Sequence, residues 1–410
     1  MTTNPVADEL PAPEETPAPA VASTLIATEA ANPSDESPSR PENPSPATPI
    51  TIASGEKAKA RDILAAIRVV KEIDRELRPV TDDERQTLTR FAGFGPVALS
   101  IFPDPVNGRY KDATWQALGE KLETLLSAEE YASAKRTTFN AFYTSPTVIE
   151  AIHDAISRLG VPRNATALEP GCGIGNFMSM APADMRFIGV ELDRISGRIA
   201  QLLHAGQDIR IENFRDTRLP ENSIDAVIGN VPFADLKLDY DGQRLSLHDY
   251  FFAKSIDTLR PAGVLALVTT HFTLDKQNAA IREYLASKAD FVGAIRLPSD
   301  AFKREGTAVV TDILILRKRA ADEPARHADP DWLGVAPLAV EGVEIAINRY
   351  FHNHPEMVLG IWTREFSWFG TIRPRRKNAP RSFGKRDTRS KSPTTGRVPW
   401  RRSRRSGRTS

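Results

Sequence analysis

Short apolar runs alternate with stretches of helical spacing between residues 165 and 318, and this alternation narrows the range of folds more than any other feature. Hydrophobic strands that are separated by helices predict a mostly parallel sheet covered on both faces. We therefore predict an α/β fold, in which the ligand sits at the carboxyl ends of the strands. The seven predicted strands are 165–168, 187–190, 209–212, 226–229, 264–269, 291–295 and 313–317.

Composition divides the chain into five segments. Residues 1–55 are rich in Pro, Ala, Glu, Ser and Thr, and such a segment buries too little apolar surface to offset its ordering entropy, so we predict disorder. Residues 56–135 carry apolar residues at helical spacing and predict a helical region. The sheet region occupies 136–320, an extension follows at 321–370, and a basic tail, predicted to be disordered, occupies 371–410.

Three features of the helical region predict where its helices begin and end. Leu77 is the last of the apolar residues at helical spacing in the first predicted helix. Thr81 and Glu84 have the spacing of a capping box at the start of the second. The breaker cluster Phe91-Ala92-Gly93-Phe94-Gly95-Pro96 could be a docking surface, but we favour helix-end packing because Gly and Pro commonly end helices.

The net charge of +1 hides an uneven distribution. Residues 373–410 contain fifteen Lys or Arg and one acid, Asp387. This tail is either an arm that binds nucleic-acid phosphates without sequence preference or the product of a shifted reading frame. We expect no target-reading domain of about 100 residues after the sheet region. We expect sequence recognition to come from the helical region or from a partner.

A single cysteine, Cys172, excludes an internal disulfide and a cysteine-rich zinc site, and we expect it to be a small buried residue. No apolar run reaches the length of about 18 residues that a membrane span requires, and the N-terminus has no basic segment followed by an apolar core. These features favour a cytoplasmic protein without metal.

A glycine-rich loop follows the first predicted strand and opens a helix. We define the glycine loop as Glu169-Pro170-Gly171-Cys172-Gly173-Ile174-Gly175-Asn176-Phe177. Glycines let a ligand approach the backbone closely, although an ordinary strand–helix turn is the alternative. About twenty residues later Glu191 ends a strand, where an acid can accept hydrogen bonds from two ribose hydroxyls. A nicotinamide dinucleotide would also suit these residues, but the glycine spacing and Glu169 favour a ligand with a sulfonium and an amino group.

A second loop, Asn230-Val231-Pro232-Phe233, follows the fourth predicted strand, and we call it the acceptor loop. The amine on an aromatic base is a poor nucleophile because its lone pair is delocalised into the ring. An Asn oxygen and a backbone carbonyl can accept its two hydrogens and hold the nitrogen toward a methyl donor. A neighbouring Phe can stack on the base, which must be flipped out of a duplex. A plain turn at a strand end is the alternative.

Together these segments resemble the adenine-N6 DNA methyltransferases over about residues 135–320. Their order is similar to that of Type I modification subunits, and the nearest likeness is the methylase portion of large helicase–methylase proteins of plasmids and other mobile elements. The resemblance implies a Rossmann-like, S-adenosylmethionine-dependent methyltransferase fold preceded by a helical segment. It implies that the cofactor is held by Tyr143, Thr144, Pro146, Glu169, Gly171, Gly173, Gly175, Asn176, Phe177 and Glu191, with Phe214 or Asp216 near its adenine.

The same resemblance assigns catalysis to Asn230, Val231, Pro232 and Phe233, and a bulky ring near the active site to the helix that begins at 248–252. Val231 departs from the first proline of the family's loop, so a main-chain carbonyl is kept but the fixed φ of proline is lost. The implied reaction is methylation of adenine N6 in DNA within a restriction–modification context, with a helicase or target-recognition region as partner. The alternatives are a protein-glutamine or RNA-base methyltransferase, or a degenerate cofactor-binding module.

Overall fold

We analysed a computed structural model, which describes residues 53–137, 144–299, 301, 310–363 and 371–374. The strands of these residues are β1 (Thr166–Pro170), β2 (Arg186–Glu191), β3 (Asp208–Ile211), β4 (Ile224–Asn230), β5 (Lys237–Tyr240), β6 (Gln243–Ser246), β7 (Leu259–Thr270), β8 (Ala289–Arg296), β9 (Thr311–Lys318), β10 (Val335–Val340), β11 (Val343–Asn348), β12 (Gly360–Thr363) and β13 (Thr371–Pro374).

The helices are α1 (Glu56–Glu76), α2 (Asp82–Thr89), α3 (Ala98–Ile101), α4 (Ala113–Leu125), α5 (Ala128–Thr137), α6 (Pro146–Arg158), α7 (Asn176–Ser179), α8 (Arg194–Leu203), α9 (Leu247–Thr258), α10 (Phe272–Asp275), α11 (Ala280–Lys288) and α12 (Arg349–Asn353). Among the described helices, none combines the length and the hydrophobicity needed to cross a bilayer.

A seven-stranded sheet with the order β3-β2-β1-β4-β7-β9-β8 forms the centre of the protein. The neighbours from β3 to β7 pair in parallel, whereas β9 runs antiparallel to both β7 and β8. All seven predicted strands are members of this sheet. The predicted fold class is therefore confirmed, including the mostly parallel arrangement.

Alternating residues of the central strands face two different hydrophobic cores, as the two-residue period of a strand requires. In β4, Val227 belongs to the core under α9 and α11, whereas Ile228 belongs to the core under α6. In β7, Leu267 and Val268 divide in the same way. All four side chains are 0% exposed, so both faces of the sheet are covered.

A third core joins the helical region to α8. It contains Ile63 and Ile67 of α1, Leu122 of α4, and Ile195 and Ile199 of α8. The predicted capping box of α2 is present, because Glu84 N donates to Thr81 Oγ1 and Thr81 N donates to Glu84 Oε2. The helical region is thus attached to the sheet domain by packed apolar side chains.

Two details differ from the sequence-based expectations. Leu77 is 91% exposed with φ +52, because it caps the end of α1 in a left-handed conformation after the helix has stopped. Residues Thr371–Pro374 form β13 against β12, at the start of the segment that we expected to be disordered. Backbone pairing with Gly360–Thr363 gives these residues an extended conformation that composition does not reveal.

The β5–β6 hairpin was not predicted, although the sequence marks it. Asp241 and Gly242 form its turn with φ +47 and φ +71. An Asp-Gly pair between alternating residues is a strong hairpin signature, since both positions of this turn need positive φ. The hairpin directly follows the acceptor loop and packs against α9.

A buried ion cluster closes the edge of the sheet at β8 and β9. The guanidinium of Arg296 is paired with Asp275 at 2.8 Å and with Asp312 at 2.7 Å, and it lies 4.2 Å from the ring centre of Phe351. Arg296 and Asp312 are both 0% exposed. This cluster therefore connects β8, β9 and α10 with α12 of the C-terminal extension.

Replacing Arg296 with Met should lower the free energy of unfolding by about 3–5 kcal/mol, because two carboxylates would stay buried without their cation. The control is Arg194→Met, since Arg194 and its partner Glu129 are 59% and 74% exposed. That exposed pair should contribute less than about 1 kcal/mol. Denaturant unfolding followed by circular dichroism measures both values, and equal losses would contradict the expectation.

Candidate functional site

A cavity of about 360 Å³ opens at the carboxyl ends of β1, β2 and β4. Ten of the residues that we had selected from the sequence line it, namely Thr144, Glu169, Gly171, Gly173, Asn176, Phe177, Glu191, Phe214, Asn230 and Pro232. These residues come from the glycine loop, from the acceptor loop, from segments at the ends of β2 and β3, and, for Thr144, from the segment before α6. The fold thus brings together positions that are up to 88 residues apart in the chain.

The glycine loop leaves open space beside its backbone. Gly171 and Gly173 have φ values of +76 and +57, which glycine adopts without strain. A Cβ added at Gly173 would meet no described atom within 4 Å. The amides of Gly171 and Cys172 donate to Val190 O at 2.8 and 3.0 Å, which fixes the loop against β2. A ligand can therefore lie directly on this part of the main chain.

Two buried side-chain oxygens of the cavity wall lack a hydrogen-bond donor among the described residues. Glu169 is 2% exposed and Asn176 is 9% exposed. Glu169 Oε2 and Asn176 Oδ1 have no hydrogen-bond donor among the described residues. A buried acceptor without a donor is costly, so these oxygens suit a ligand that brings N–H groups or positive charge.

Glu191 is held in place by main-chain amides. Its Oε2 accepts from Gly173 N at 2.8 Å, and its Oε1 accepts from Asp193 N at 2.7 Å. Burial raises the pKa of Glu191 to about 7, and the Asp193 carboxylate adds to this shift. Burial also raises the pKa of Glu169 well above its ordinary value, with a further contribution from Glu191. Because both carboxylates face one cavity, a cationic ligand would favour their ionised forms.

The acceptor loop touches the glycine loop. A Cβ built on Gly171 would lie 3.6 Å from Pro232 Cδ and 4.0 Å from Asn230 O. Similarly, a Cβ on Gly229, whose φ is +149, would lie 3.4 Å from Glu169 Cγ. The two loops are therefore neighbours, separated by about the space of one methyl group, and the positive φ values favour glycine at both positions.

Val231 points away from the cavity and is 1% exposed. It packs in the core under α9, and its amide donates to Val268 O at 3.1 Å. Proline has no amide hydrogen and could not make this bond. The bond holds the acceptor loop to β7 and restrains the backbone where the family's usual proline would do so through its fixed φ.

Several selected residues do not line the cavity. Val231 and Phe233 pack against the core under α9, Pro146 is exposed at the first position of α6, and Asp216 is 60% exposed beside Arg215. Tyr143 lies outside the described residues. Proline is favoured at the first helical position, which explains Pro146 without a ligand.

Gly175 also has a packing role. A Cβ there would lie 2.6 Å from the ring of His204, whose Nε2 is 3.2 Å from Ile174 O. Burial lowers the pKa of His204 to about 4, so this ring is neutral at physiological pH. The neutral imidazole supports the glycine loop from the side of α8.

Residues outside our selection contribute the rest of the wall. They include Gly93, Cys172, Leu192, Asp193, Ser196, Asn213, Leu236, Leu238 and Phe251. Phe251 belongs to the helix start where we expected a bulky ring, and its ring centre lies 4.8 Å from that of Phe214. Leu236 and Leu238 come from the unpredicted hairpin segment. Cys172 is buried, as expected, and burial raises the pKa of its thiol.

The described residues contain no group of three or more His, Cys, Asp or Glu side chains that could hold a metal ion. The family model for N-6 DNA methylases matches residues 114–329, which is just over half of the chain. The chain belongs to the N-6 DNA methylase family. The matched range contains the glycine loop, Glu191 and the acceptor loop, and thus all the strand ends that border the cavity.

Individual proteins resemble the chain over different lengths. It is 31% identical over 189 residues to the "Defense against restriction protein B" of Escherichia phage P1, which covers 44% of this chain and only 8% of that protein. A type I restriction-modification methyltransferase subunit from Streptococcus thermophilus is 17% identical with a TM-score of 0.39, covering 74% of each chain. A class I S-adenosylmethionine-dependent methyltransferase from Listeria monocytogenes is 15% identical with a TM-score of 0.40, covering 65% of this chain and 90% of that one. The family assignment comes from the family model.

Replacing Val231 with Pro should destabilise the protein by about 1–3 kcal/mol, although it restores the residue that is usual in the family. The substitution removes the amide that donates to Val268 O and leaves that buried carbonyl without its partner. Val231→Ile, which keeps the amide, is the matched control. Thermal unfolding compares the three proteins, and a higher melting temperature for the proline variant would show that the fixed φ outweighs the hydrogen bond.

The raised pKa of Glu191 makes stability depend on pH. The ordinary pKa is 4.5 and the folded value is about 7, so the folded state binds the proton more tightly. The stability that this group contributes is complete below about pH 4.5 and is lost as the pH rises to about 7. As the pH rises from about 4.5 to about 7, the unmodified protein should therefore lose stability relative to Glu191→Gln, as measured by the free energy of unfolding. Parallel pH profiles of the two proteins would contradict the assignment.

Proposed function

We propose that this chain is an S-adenosylmethionine-dependent methyltransferase that acts on the exocyclic N6 amino group of adenine in DNA. Membership in the N-6 DNA methylase family supports this reaction class. The observation that carries the proposal is that the glycine loop and the acceptor loop lie next to each other and line one cavity. A site for a methyl donor and a site for an amine acceptor would then be adjacent.

The residues of the cavity fit this cofactor. S-adenosylmethionine, when bound, supplies an electrophilic methyl group. Glu169 Oε2 and Asn176 Oδ1 are buried acceptors that would hold its ammonium and face its positive charge. Glu191 retains further lone pairs that would accept hydrogen bonds from ribose hydroxyls, and the Phe214 ring, which lines the cavity, would contact the adenine. The open main chain at Gly173 completes the fit.

Asn230 would orient the target amine. Its side-chain oxygen and a main-chain carbonyl of the acceptor loop accept the two amine hydrogens, which directs the nitrogen lone pair into the cavity. These contacts also favour the pyramidal nitrogen that forms as the methyl group is transferred. Positioning and electrostatic stabilisation suffice, so the site needs no strong base, and the displaced proton can pass to water.

The environment of Asn230 is suited to this role. The residue ends β4, and Val231 N anchors the next peptide to β7. Phe251 and Leu247 contribute apolar side chains to the wall of the cavity that Asn230 also lines. Phe233 is partly buried against the core under α9, so stacking on a flipped base would require its ring to turn outward.

Partners belong to the proposal as well. The P1 phage relative is more than ten times longer than the matched segment, which supports our expectation that other regions or chains supply DNA translocation or target recognition. The single cysteine supports a reducing, cytoplasmic setting.

Methyl transfer from labelled S-adenosylmethionine to unmethylated double- and single-stranded DNA tests the reaction. We expect label on adenine, and we expect Asn230→Ala to reduce the rate by about 100-fold or more, as loss of one preorganised polar group does. Asn164→Ala, in an exposed turn before β1, is the matched control and should keep the full rate.

The other outcomes separate the alternatives. Label on RNA or on protein glutamine, with none on DNA, would show that the substrate is RNA or protein and not DNA. Bound cofactor without label on any acceptor would identify a degenerate or partner-dependent module. Equal rates for Asn230→Ala and Asn164→Ala would remove Asn230 from the catalytic centre.

A further inference from the structure

Gly93 of the helical region lines the same cavity as the glycine loop. It is buried and has φ +67, a conformation that favours glycine. Glycine in such a position lets the main chain approach a ligand without a side chain between them. This residue lies before the family-matched range, which begins at residue 114, so the family match does not account for it.

The two aromatic residues that flank Gly93 are anchors. Phe91 and Phe94 are each 1% exposed, and their rings meet edge to face at 5.6 Å. Both belong to one hydrophobic core with Ile174 of the glycine loop and Ile195 at the start of α8. Gly93 thus belongs to a segment whose aromatic residues share one core with the glycine loop and with α8, the helix that follows Glu191.

A second link joins the helical region to Glu191. Ser133 Oγ of α5 donates to Asp193 Oδ1 at 3.3 Å, and this contact is buried. The other Asp193 oxygen accepts from the amide and the hydroxyl of Ser196 at 2.8 and 2.7 Å, and Asp193 N donates to Glu191 Oε1. α5 therefore supports the turn that presents Glu191 to the cavity.

The same region is attached along the length of α8. Arg85 Nη1 of α2 donates to Leu203 O at 3.0 Å, at the end of that helix. Arg198 pairs with Asp74 of α1 at 2.6 Å in its middle. Exposed pairs contribute little alone, but with the apolar core they fix the position of the segment that carries Gly93.

We propose that helices α1–α5 are an integral part of the cofactor site, in which the main chain at Gly93 forms the wall against the bound nucleoside-containing donor. The inference rests on the proposed binding of S-adenosylmethionine. It assigns to the Phe91–Gly95 segment a binding role in addition to the packing that its aromatic residues perform. Ser133 and Asp193 are positioning residues, which act through Glu191.

Calorimetric titration with S-adenosylmethionine, without DNA, tests Gly93→Asn against Gly108→Asn. Asn tolerates positive φ better than other non-glycine residues, so both variants carry a similar backbone cost. Gly108 has φ +70, has no described atom within 4 Å of an added Cβ, and does not line the cavity. We expect Gly93→Asn to weaken binding by about tenfold or more and Gly108→Asn to leave it unchanged.

Hydrogen–deuterium exchange of the unmodified protein gives a readout that does not depend on a variant. Saturating cofactor should slow exchange of the amides at 91–95 together with those of the glycine loop, and it should leave the 104–109 turn unchanged. Slowing at the glycine loop alone, or equal affinities of the two Asn variants, would overturn the inference. Absence of cofactor binding by the unmodified protein would instead overturn the proposed function.

Discussion

The whole site depends on the parallel pairing of β1 with β4. Their register aligns Leu168 with Val227, so both strands end at the same edge of the sheet, and the loops that follow them must lie side by side. Glycine suits positions 171 and 229 because their φ values of +76 and +149 are unfavourable for other residues, and an added Cβ at either position would already contact the facing segment. The donor and acceptor functions are thus made adjacent by sheet topology, and loop chemistry then refines the contact.

The same geometry carries an electrostatic cost. Two carboxyl groups, of Glu169 and Glu191, face one cavity, and burial raises the pKa of each. The main-chain donors to Glu191 offset part of that cost, whereas Glu169 keeps an oxygen without a donor among the described residues. A site that is unfavourable when empty gains more from a cationic ligand than a site already satisfied by its own side chains. The cavity is therefore better suited to a positively charged donor than to a pyrophosphate.

Local periodicity was enough to predict the sheet, since each central strand is a short apolar run with both faces buried. The glycine loop, Glu191 and Asn230 were selected instead from their places after predicted strands and from the resemblance of the whole set to a methyltransferase family, since each motif alone also fits an ordinary turn. Neither periodicity nor motif spacing could predict that the hairpin at 237–246 and Gly93 contribute to the cavity wall. Their place at the cavity depends on contacts between segments far apart in the chain, and the Asp241-Gly242 turn shows only that a hairpin exists, not where it packs.

Val231 shows how one constraint can replace another. In a loop with proline at this position, the ring would fix φ but contribute no hydrogen bond. Here the valine amide reaches Val268 O, and the side chain is buried in the core under α9. The loop is then restrained at two points, by the sheet through its main chain and by the core through its side chain. The main-chain carbonyls that we propose as acceptors of the amine hydrogens do not depend on the side chain at position 231. A hydrogen bond and core packing can therefore replace the fixed φ of proline without changing the proposed chemistry of the loop.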